Sequence, residues 1–366
     1  MLDRIIAARQ NGRPATLLSH LITIAGANHG STLAQMGRSL LGYAQKLIQK
    51  HVLSVGAGIL TDLDYGSEFL LDLNRRWLRE LNSGTLGSCF LFSMGGDTIG
   101  EGEIMQVLWQ LHERGSDDTV RISAANLNYA WLKPRDGGFA LVEPQYAIPH
   151  LVLHGYSHFG AVSGILGNVR GSGDPPMAAV LQALGVGDRD AYARVLSEWQ
   201  SRTSTWGASS NPTNSNATVV FSVIDDTGDG VDDCMIAWRD AAGSLAGASS
   251  YIEHHSPIQN NVRLSSYSFY INVPQYLKSY PHTIQLEADS GSTYVTYVAR
   301  DFTTADSMKN LARLNEFTYV DVILERDSAR AYAMYDWSPD LPLKEMTWMP
   351  FPEQGRIVLP SDEIGQ

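Results

Sequence analysis

Apolar residues in the first 200 positions alternate between short continuous runs and helical spacings. The short runs, which are bounded by glycine or polar residues, predict buried strands at 20–25, 89–93, 120–122 and 150–154. Residues 33–80 and 102–112 instead carry the i, i+3, i+4 spacing of amphipathic helices. Strands that alternate with helices in this way predict a parallel sheet built from βαβ units.

The pattern changes near residue 200. Residues 201–218 are rich in Ser, Thr and Asn and include Gly207 and Pro212, which is typical of a linker. Beyond them, alternating segments predict strands at 219–223, 266–272, 293–300 and 317–326. Several such strands with turn signals between them indicate an antiparallel sandwich. We therefore predict an α/β domain at 1–200, a linker at 201–218 and an all-β accessory domain at 219–366.

Composition narrows the class of partner. The 366 residues include 27 Lys+Arg against 39 Asp+Glu, and a net charge of -12 argues against a nucleic-acid-binding surface. No apolar run reaches the roughly 18 residues that a membrane-spanning helix needs, and no signal peptide is visible at the start. Two cysteines cannot build a disulfide framework. Compartment and oligomeric state stay open.

Three segments place polar side chains directly after or beside predicted strands. The first is ITIAGANHGS at 22–31, the second is RGSDDTVRISAANLNY at 114–129, and the third is LVLHGYSHFGAVSG at 151–164. The second carries Asp117 and Asp118, and the third carries His158 in the loop after its strand. A carboxylate and a histidine on strand-end loops are the acid and base that a serine hydrolase needs.

These segments, in this order, resemble the α/β-hydrolase lipases and esterases, over roughly residues 1–180. The resemblance implies a partial α/β-hydrolase parallel sheet with a helical lid at 33–80 over an acyl pocket. The lid residues expected to contact the substrate are Leu40, Leu41, Leu47, Ile48 and Val52. It assigns Asp117 as the triad acid and His158 as the base, with Asp118 the less favoured acid. One departure is that Asp118 stands where the family usually has glycine. The implied substrate is a small-molecule lipid or acyl ester, with no cofactor and no metal.

A nucleophile elbow is not evident in the chain. The G-x-S-x-G pattern needs small residues on both sides of its serine. Ser93 in LFSMGG has Leu91 where the first glycine belongs, and it follows the NHGS loop instead of preceding it. We therefore interpret Ser93 as an ordinary strand residue.

The start of the chain suggests where the serine lies. Residues 2–9 read as a helix that no capping residue precedes. We expect the elbow and its serine upstream of Met1, so that this chain alone would be inactive. The alternative is a noncatalytic binding module built on a hydrolase-like shell.

Two metal sites are weaker alternatives. His150, His154 and His158 have the spacing of one helix face, which is typical of zinc ligands, but Pro149 and Gly155 favour a strand there.

The sequence VIDDTGDGVDD at 223–233 begins like an EF-hand calcium loop. Ile236, however, occupies the position of the bidentate glutamate. We predict a hairpin loop in that place.

Overall fold

The structure, a computed structural model, describes most of the chain. The described residues are 18–31, 34, 57–84, 89–98, 115–135, 138–158, 160, 163–165, 167, 173–209, 215–245, 248–253, 256–289, 296–302, 310–327, 332–334 and 348–350. The predicted helices at 2–9 and 102–112 lie outside these residues.

Strands and short helices make a mixed α/β fold. The strands are β1 (His20–Ile24), β2 (Phe90–Gly96), β3 (Tyr129–Arg135), β4 (Gly138–Val142), β5 (His150–Leu153), β6 (Asn216–Asp225), β7 (Cys234–Arg239), β8 (Ile258–Gln259), β9 (Ser266–Asn272), β10 (Thr283–Ala288), β11 (Arg300–Phe302), β12 (Phe317–Leu324), β13 (Tyr332–Met334) and β14 (Trp348–Pro350). The α-helices are α1 (Ala57–Asp62), α2 (Glu68–Asn82), α3 (Ile122–Ala125), α4 (Pro175–Leu184), α5 (Arg189–Ser209) and α6 (Val273–Lys278).

A three-stranded parallel sheet has the order β1-β2-β5. These strands lie at three of the four positions predicted from apolar runs, and those three predictions are confirmed. The runs are apolar because both faces of the sheet are covered, as in most parallel sheets. Phe92 and Leu151, for example, pack in one buried cluster with Ala183 of α4 and Trp199 of α5.

A six-stranded mixed sheet has the order β4-β3-β12-β6-β9-β8. The strand β12 is parallel to both β3 and β6, whereas the other neighbours are antiparallel. The six-stranded sheet shares a hydrophobic core with the antiparallel sheet β11-β10-β7. In this core, Phe221 of β6 and Phe269 of β9 pack on Trp238 of β7. The expected purely antiparallel arrangement is therefore wrong for this sheet.

The predicted domain boundary cuts across this sheet. The hairpin β3–β4 at 129–142 pairs with β12, so strands from both predicted domains share one sheet. Residues 201–209 of the predicted linker continue α5, and β6 already begins at Asn216. The division into domains at 1–200 and 219–366 stays a prediction. The strand pairing in this sheet does not coincide with it.

Three local predictions differ from the structure. Of the predicted strand at 293–300, only Arg300 lies in a strand among the residues described, at the start of β11. The segment 120–122 is not a strand, because α3 begins at Ile122 and the run is too short to impose a strand period. The loop after β6 is not a hairpin, because β6 and β7 belong to different sheets.

The predicted lid is described only in part. Its second half forms α1 and α2, and α2 buries Leu70 and Leu78 as its spacing predicts, whereas Phe69 is exposed. The positions Leu40, Leu41, Leu47, Ile48 and Val52, proposed to contact an acyl chain, lie outside the described residues. Among the helices described, none combines the length and apolar character needed to cross a membrane.

The helix α3 lies between the parallel sheet and the six-stranded sheet. All four of its residues are buried, and a Cβ added to Gly95 of β2 would lie only 3.0 Å from the Ala125 Cβ. On its other side the Ser123 hydroxyl lies 2.7 Å from the Thr218 hydroxyl of β6. Small side chains thus let both sheets approach one turn of helix.

A buried polar network surrounds His29 beside this junction. His29 Nε2 donates to the Asn126 carbonyl at 2.9 Å, and the Tyr319 hydroxyl lies 3.1 Å from Nδ1. Asn74 Nδ2 donates to the same hydroxyl at 3.0 Å, and the Tyr129 hydroxyl donates to the Asn74 carbonyl. Burial lowers the pKa of His29 to about 3, against the opposing effect of the Asn126 bond, so the ring is neutral near pH 7.

Acid sensitivity follows from two buried histidines. Burial also lowers the pKa of His150 to about 3. Below pH about 6.5 an unfolded histidine binds a proton that the folded one rejects, so acidification favours unfolding. Each histidine should reduce the free energy of unfolding by about 2 kcal/mol between pH 7.5 and pH 5.

Urea denaturation at those two pH values measures this effect. The pH-dependent loss should be smaller by about 2 kcal/mol in His29→Gln and in His150→Gln. The exposed His282 supplies the control, since His282→Gln should leave the loss unchanged. An undiminished loss in both buried variants would contradict the assignment of neutral, buried rings.

Candidate active site

Residues 117–120, called the acid loop here because they include Asp117, lie between two paired residues. Backbone pairing of Ser116 with Arg121 closes the loop, and the Asp117 amide donates to the Val120 carbonyl at 3.1 Å. The Asp117 carboxylate is 1% exposed. Its Oδ1 accepts the amides of Thr119 at 3.1 Å and Val120 at 2.7 Å. These two bonds fix the carboxylate's orientation and leave Oδ2 for another donor.

Asp118 explains its own departure from the glycine expected there. Its φ is 78°, in the left-handed region that glycine adopts without strain and that aspartate tolerates better than most residues. Aspartate therefore occupies a backbone position that also suits glycine. The carboxylate of Asp117 turns towards a histidine.

That histidine is His158. Its Nδ1 lies 3.0 Å from Asp117 Oδ2, and its backbone amide donates to the Asp117 carbonyl at 2.9 Å. The structure thus brings together the two residues predicted as acid and base, through side chain and backbone. The imidazole side chain is 12% exposed. The contact with the carboxylate engages Nδ1 and so distinguishes the two ring nitrogens of His158.

The loop before His158 carries a second pair that sequence reasoning missed. His154 Nδ1 lies 2.6 Å from Asp97 Oδ2, at the same edge of the parallel sheet. Asp97 follows β2 and His154 follows β5, and their neighbours Gly96 and Leu153 are paired in register. Only the pairing of β2 with β5 brings Asp97 close to His154, and no local pattern in the sequence predicts that pairing.

The zinc alternative is not supported by the placement of the three histidines. His150 contacts Ser93, His154 contacts Asp97 and His158 contacts Asp117. Within the part of the chain that the structure describes, no group of three or more His, Cys, Asp or Glu side chains is arranged to hold a metal ion.

Ser93 lies inside β2, not at its end. Its side chain is 0% exposed, its Oγ lies 2.9 Å from His150 Nδ1, and it accepts the Leu127 amide at 3.3 Å. A hydroxyl enclosed in this way has no route to an ester. The interpretation of Ser93 as an ordinary strand residue agrees with this burial.

The NHGS loop supports the acid loop. The Ser31 hydroxyl donates to the Thr119 carbonyl at 2.6 Å, and the Ser31 amide donates to the Leu63 carbonyl at 2.9 Å. Gly30 has φ 121°, and a Cβ there would lie 2.6 Å from the Tyr65 ring. Only glycine fits this close approach. Through Gly30 and Ser31 the NHGS loop therefore connects the segment between α1 and α2 with the acid loop.

In the loop at 223–233, considered above as a calcium site, the Asp225 carboxylate accepts hydrogen bonds from within the loop. Asp225 Oδ1 accepts the amides of Thr227 and Asp229 and the Thr227 hydroxyl. This is the pattern of an Asx turn. It leaves the EF-hand hypothesis with no support beyond the spacing in the sequence.

Comparisons with known proteins identify the fold. A structure of phospholipase PlaB from Legionella pneumophila matches with a TM-score of 0.73 and 23% identity, covering 93% of this chain and 77% of the phospholipase. A structure of the same phospholipase in complex with thio-NAD matches with a TM-score of 0.71 and 23% identity, covering 89% and 74%. No protein-family model matches the chain, and no curated protein matches it. At this identity the likeness establishes a shared fold.

The left-handed backbone at Asp118 can be tested directly. Asp118→Gly should keep the free energy of unfolding within about 1 kcal/mol, because glycine adopts the same φ freely. Asp118→Val should lower it by about 1–3 kcal/mol, since a β-branched residue is strained there. Chemical denaturation measures both, and equal stability of the two variants would contradict the described loop.

Proposed function

We propose that this protein hydrolyses ester bonds of lipids or other acyl esters, with His158 as general base and Asp117 as the carboxylate that orients it. The contact between Asp117 Oδ2 and His158 Nδ1, reinforced by the backbone bond between the same residues, carries the proposal. The likeness to phospholipase PlaB supports a lipid ester as the substrate class.

The proposed reaction is acyl transfer through a serine. His158 Nε2 takes the proton of the serine hydroxyl as its oxygen attacks the ester carbonyl. The resulting imidazolium is stabilised by Asp117 and returns the proton to the leaving alcohol oxygen as the carbon–oxygen bond breaks. A water molecule, deprotonated in turn by His158, releases the acid and regenerates the serine.

The nucleophile is the part that experiment must identify. The buried hydroxyl of Ser93 argues against that residue. Two forms of the protein are therefore compared, residues 1–366 and the chain extended to the next in-frame start codon upstream. Both are assayed against p-nitrophenyl esters and against phospholipid in mixed micelles.

In the active form, His158→Gln and Asp117→Asn should each lower kcat by about 10⁴-fold with little change in KM. Matched controls are His282→Gln and Asp226→Asn, which change an exposed histidine and the acid of an exposed ion pair with Arg326. Hydrolysis that survives both site substitutions would contradict the proposal. No hydrolysis by either form would favour the noncatalytic binding module.

Ser93→Ala tests the remaining nucleophile within the chain. Activity per folded molecule should stay within about twofold, because an enclosed hydroxyl contributes to packing and not to ester attack. Loss of activity in a folded Ser93→Ala protein, verified by circular dichroism, would identify Ser93 as the nucleophile.

A further inference from the structure

We infer that Asp97 is a positioning residue, which holds the loop from His154 to His158 so that His158 stays aligned on Asp117. This inference rests on the proposed role of His158. It concerns a pair of residues that the assigned acid and base do not include.

The contacts of Asp97 include three residues of the loop. Its Oδ2 lies 2.6 Å from His154 Nδ1, and its Oδ1 accepts the Gly155 amide at 2.9 Å. Its own amide donates to the Tyr156 carbonyl at 3.0 Å, as does the amide of Thr98 at 3.1 Å. One aspartate therefore contacts three consecutive residues of the loop through side chain and backbone.

The remaining residues of the loop are fixed as well. The Ser157 amide donates to the Ser163 carbonyl at 2.9 Å, and the Ile165 amide donates to the Ser157 carbonyl at 2.8 Å. His158 follows at once and bonds to Asp117. The loop is thus anchored by Asp97 at its start and by Asp117 at its end, with Ser157 as the single residue between the two anchors.

Close packing leaves the loop little freedom to find another path. A Cβ on Gly96 would lie 2.1 Å from the Tyr156 carbonyl oxygen, so the end of β2 and the loop are in direct contact. Gly155 has φ 79°, the left-handed conformation in which the chain turns away from β5. Displacement of residues 154–156 would therefore be transmitted to His158.

The burial of the Asp97 carboxylate supports a role in holding the loop. Its carboxylate is 1% exposed, and taking a carboxylate out of water is unfavourable unless its oxygens are bonded. Oδ1 also accepts the Thr98 hydroxyl at 2.9 Å, so both oxygens have partners. His154, in contrast, is 29% exposed and lies at the rim of the same edge. The acid is the buried member, as expected of a group that holds a loop in place.

The test observes His158 directly, so it needs neither substrate nor nucleophile. In histidine-labelled protein, nitrogen–proton NMR reports which ring nitrogen of His158 carries its proton and how fast that proton exchanges. The unsubstituted protein should show a protected Nδ1–H, bonded to Asp117. In Asp97→Asn this proton should exchange at least roughly tenfold faster, as the loop opens more often.

Two further variants separate positioning from general stability. Asp97→Glu keeps the carboxylate and should restore part of the protection, and His154→Asn should show a smaller loss because the Gly155 bond remains. Asp226→Asn is the control and should leave the His158 signal unchanged. If Asp97→Asn does not fold, the comparison of Asp97→Glu with His154→Asn carries the test.

A merely structural role gives a different result. In that case Asp97→Asn would lower the melting temperature while the His158 Nδ1–H stayed protected, and this result would overturn the inference. In a hydrolytically active form, positioning also predicts a kcat lower by about 10- to 100-fold at unchanged KM. Because the NMR result does not depend on hydrolysis, failure of the inference and failure of the proposed function are distinguishable.

Discussion

Polar groups buried away from water must find partners inside the protein, and this constraint determines how the acid loop is held. Between the parallel sheet and the six-stranded sheet, α3 bonds through its carbonyls to the amide of His29 and the side chain of Asn28. Ser31, in the same segment, donates a hydrogen bond from its hydroxyl to the acid loop itself. The NHGS segment is thus structural, and through it the junction of the two sheets fixes the position of Asp117.

The edge of the parallel sheet beyond β2 and β5 carries two aspartate–histidine pairs of the same form. In each, a carboxylate that is 1% exposed bonds Nδ1 of a histidine and also accepts backbone amides. The two histidines lie on one short loop, so each acid constrains both. The pairs differ in place, since Asp117 comes from the loop held by the sheet junction and Asp97 from the end of the central strand. Because both histidines lie on one loop, we infer that the alignment of His158 depends on the end of β2 as well as on the junction of the two sheets.

Part of this arrangement was predictable from the sequence. Three strands of the parallel sheet were, because a strand covered on both faces is a continuous apolar run. The order of segments also led us to expect Asp117 and His158 in contact, as the structure has them, whereas their roles as acid and base stay a prediction. The run at 120–122 was misread because three residues carry no period. Pairing of β3 with β12 joins residues almost two hundred positions apart, which no local pattern encodes. The Asp97–His154 pair depends on that same kind of long-range neighbour relation, between β2 and β5.

The central claim is that His158, held by Asp117, activates a serine. The most direct measurement is a crystal structure of the protein after reaction with a lipid-like phosphonate, which bonds covalently to an activated serine. We expect one labelled serine, with its Oγ within about 3.2 Å of His158 Nε2 and with the Asp117–His158 contact intact. A label beside His154 instead, a label on Ser93, or a protein that the phosphonate does not modify in either form would contradict it.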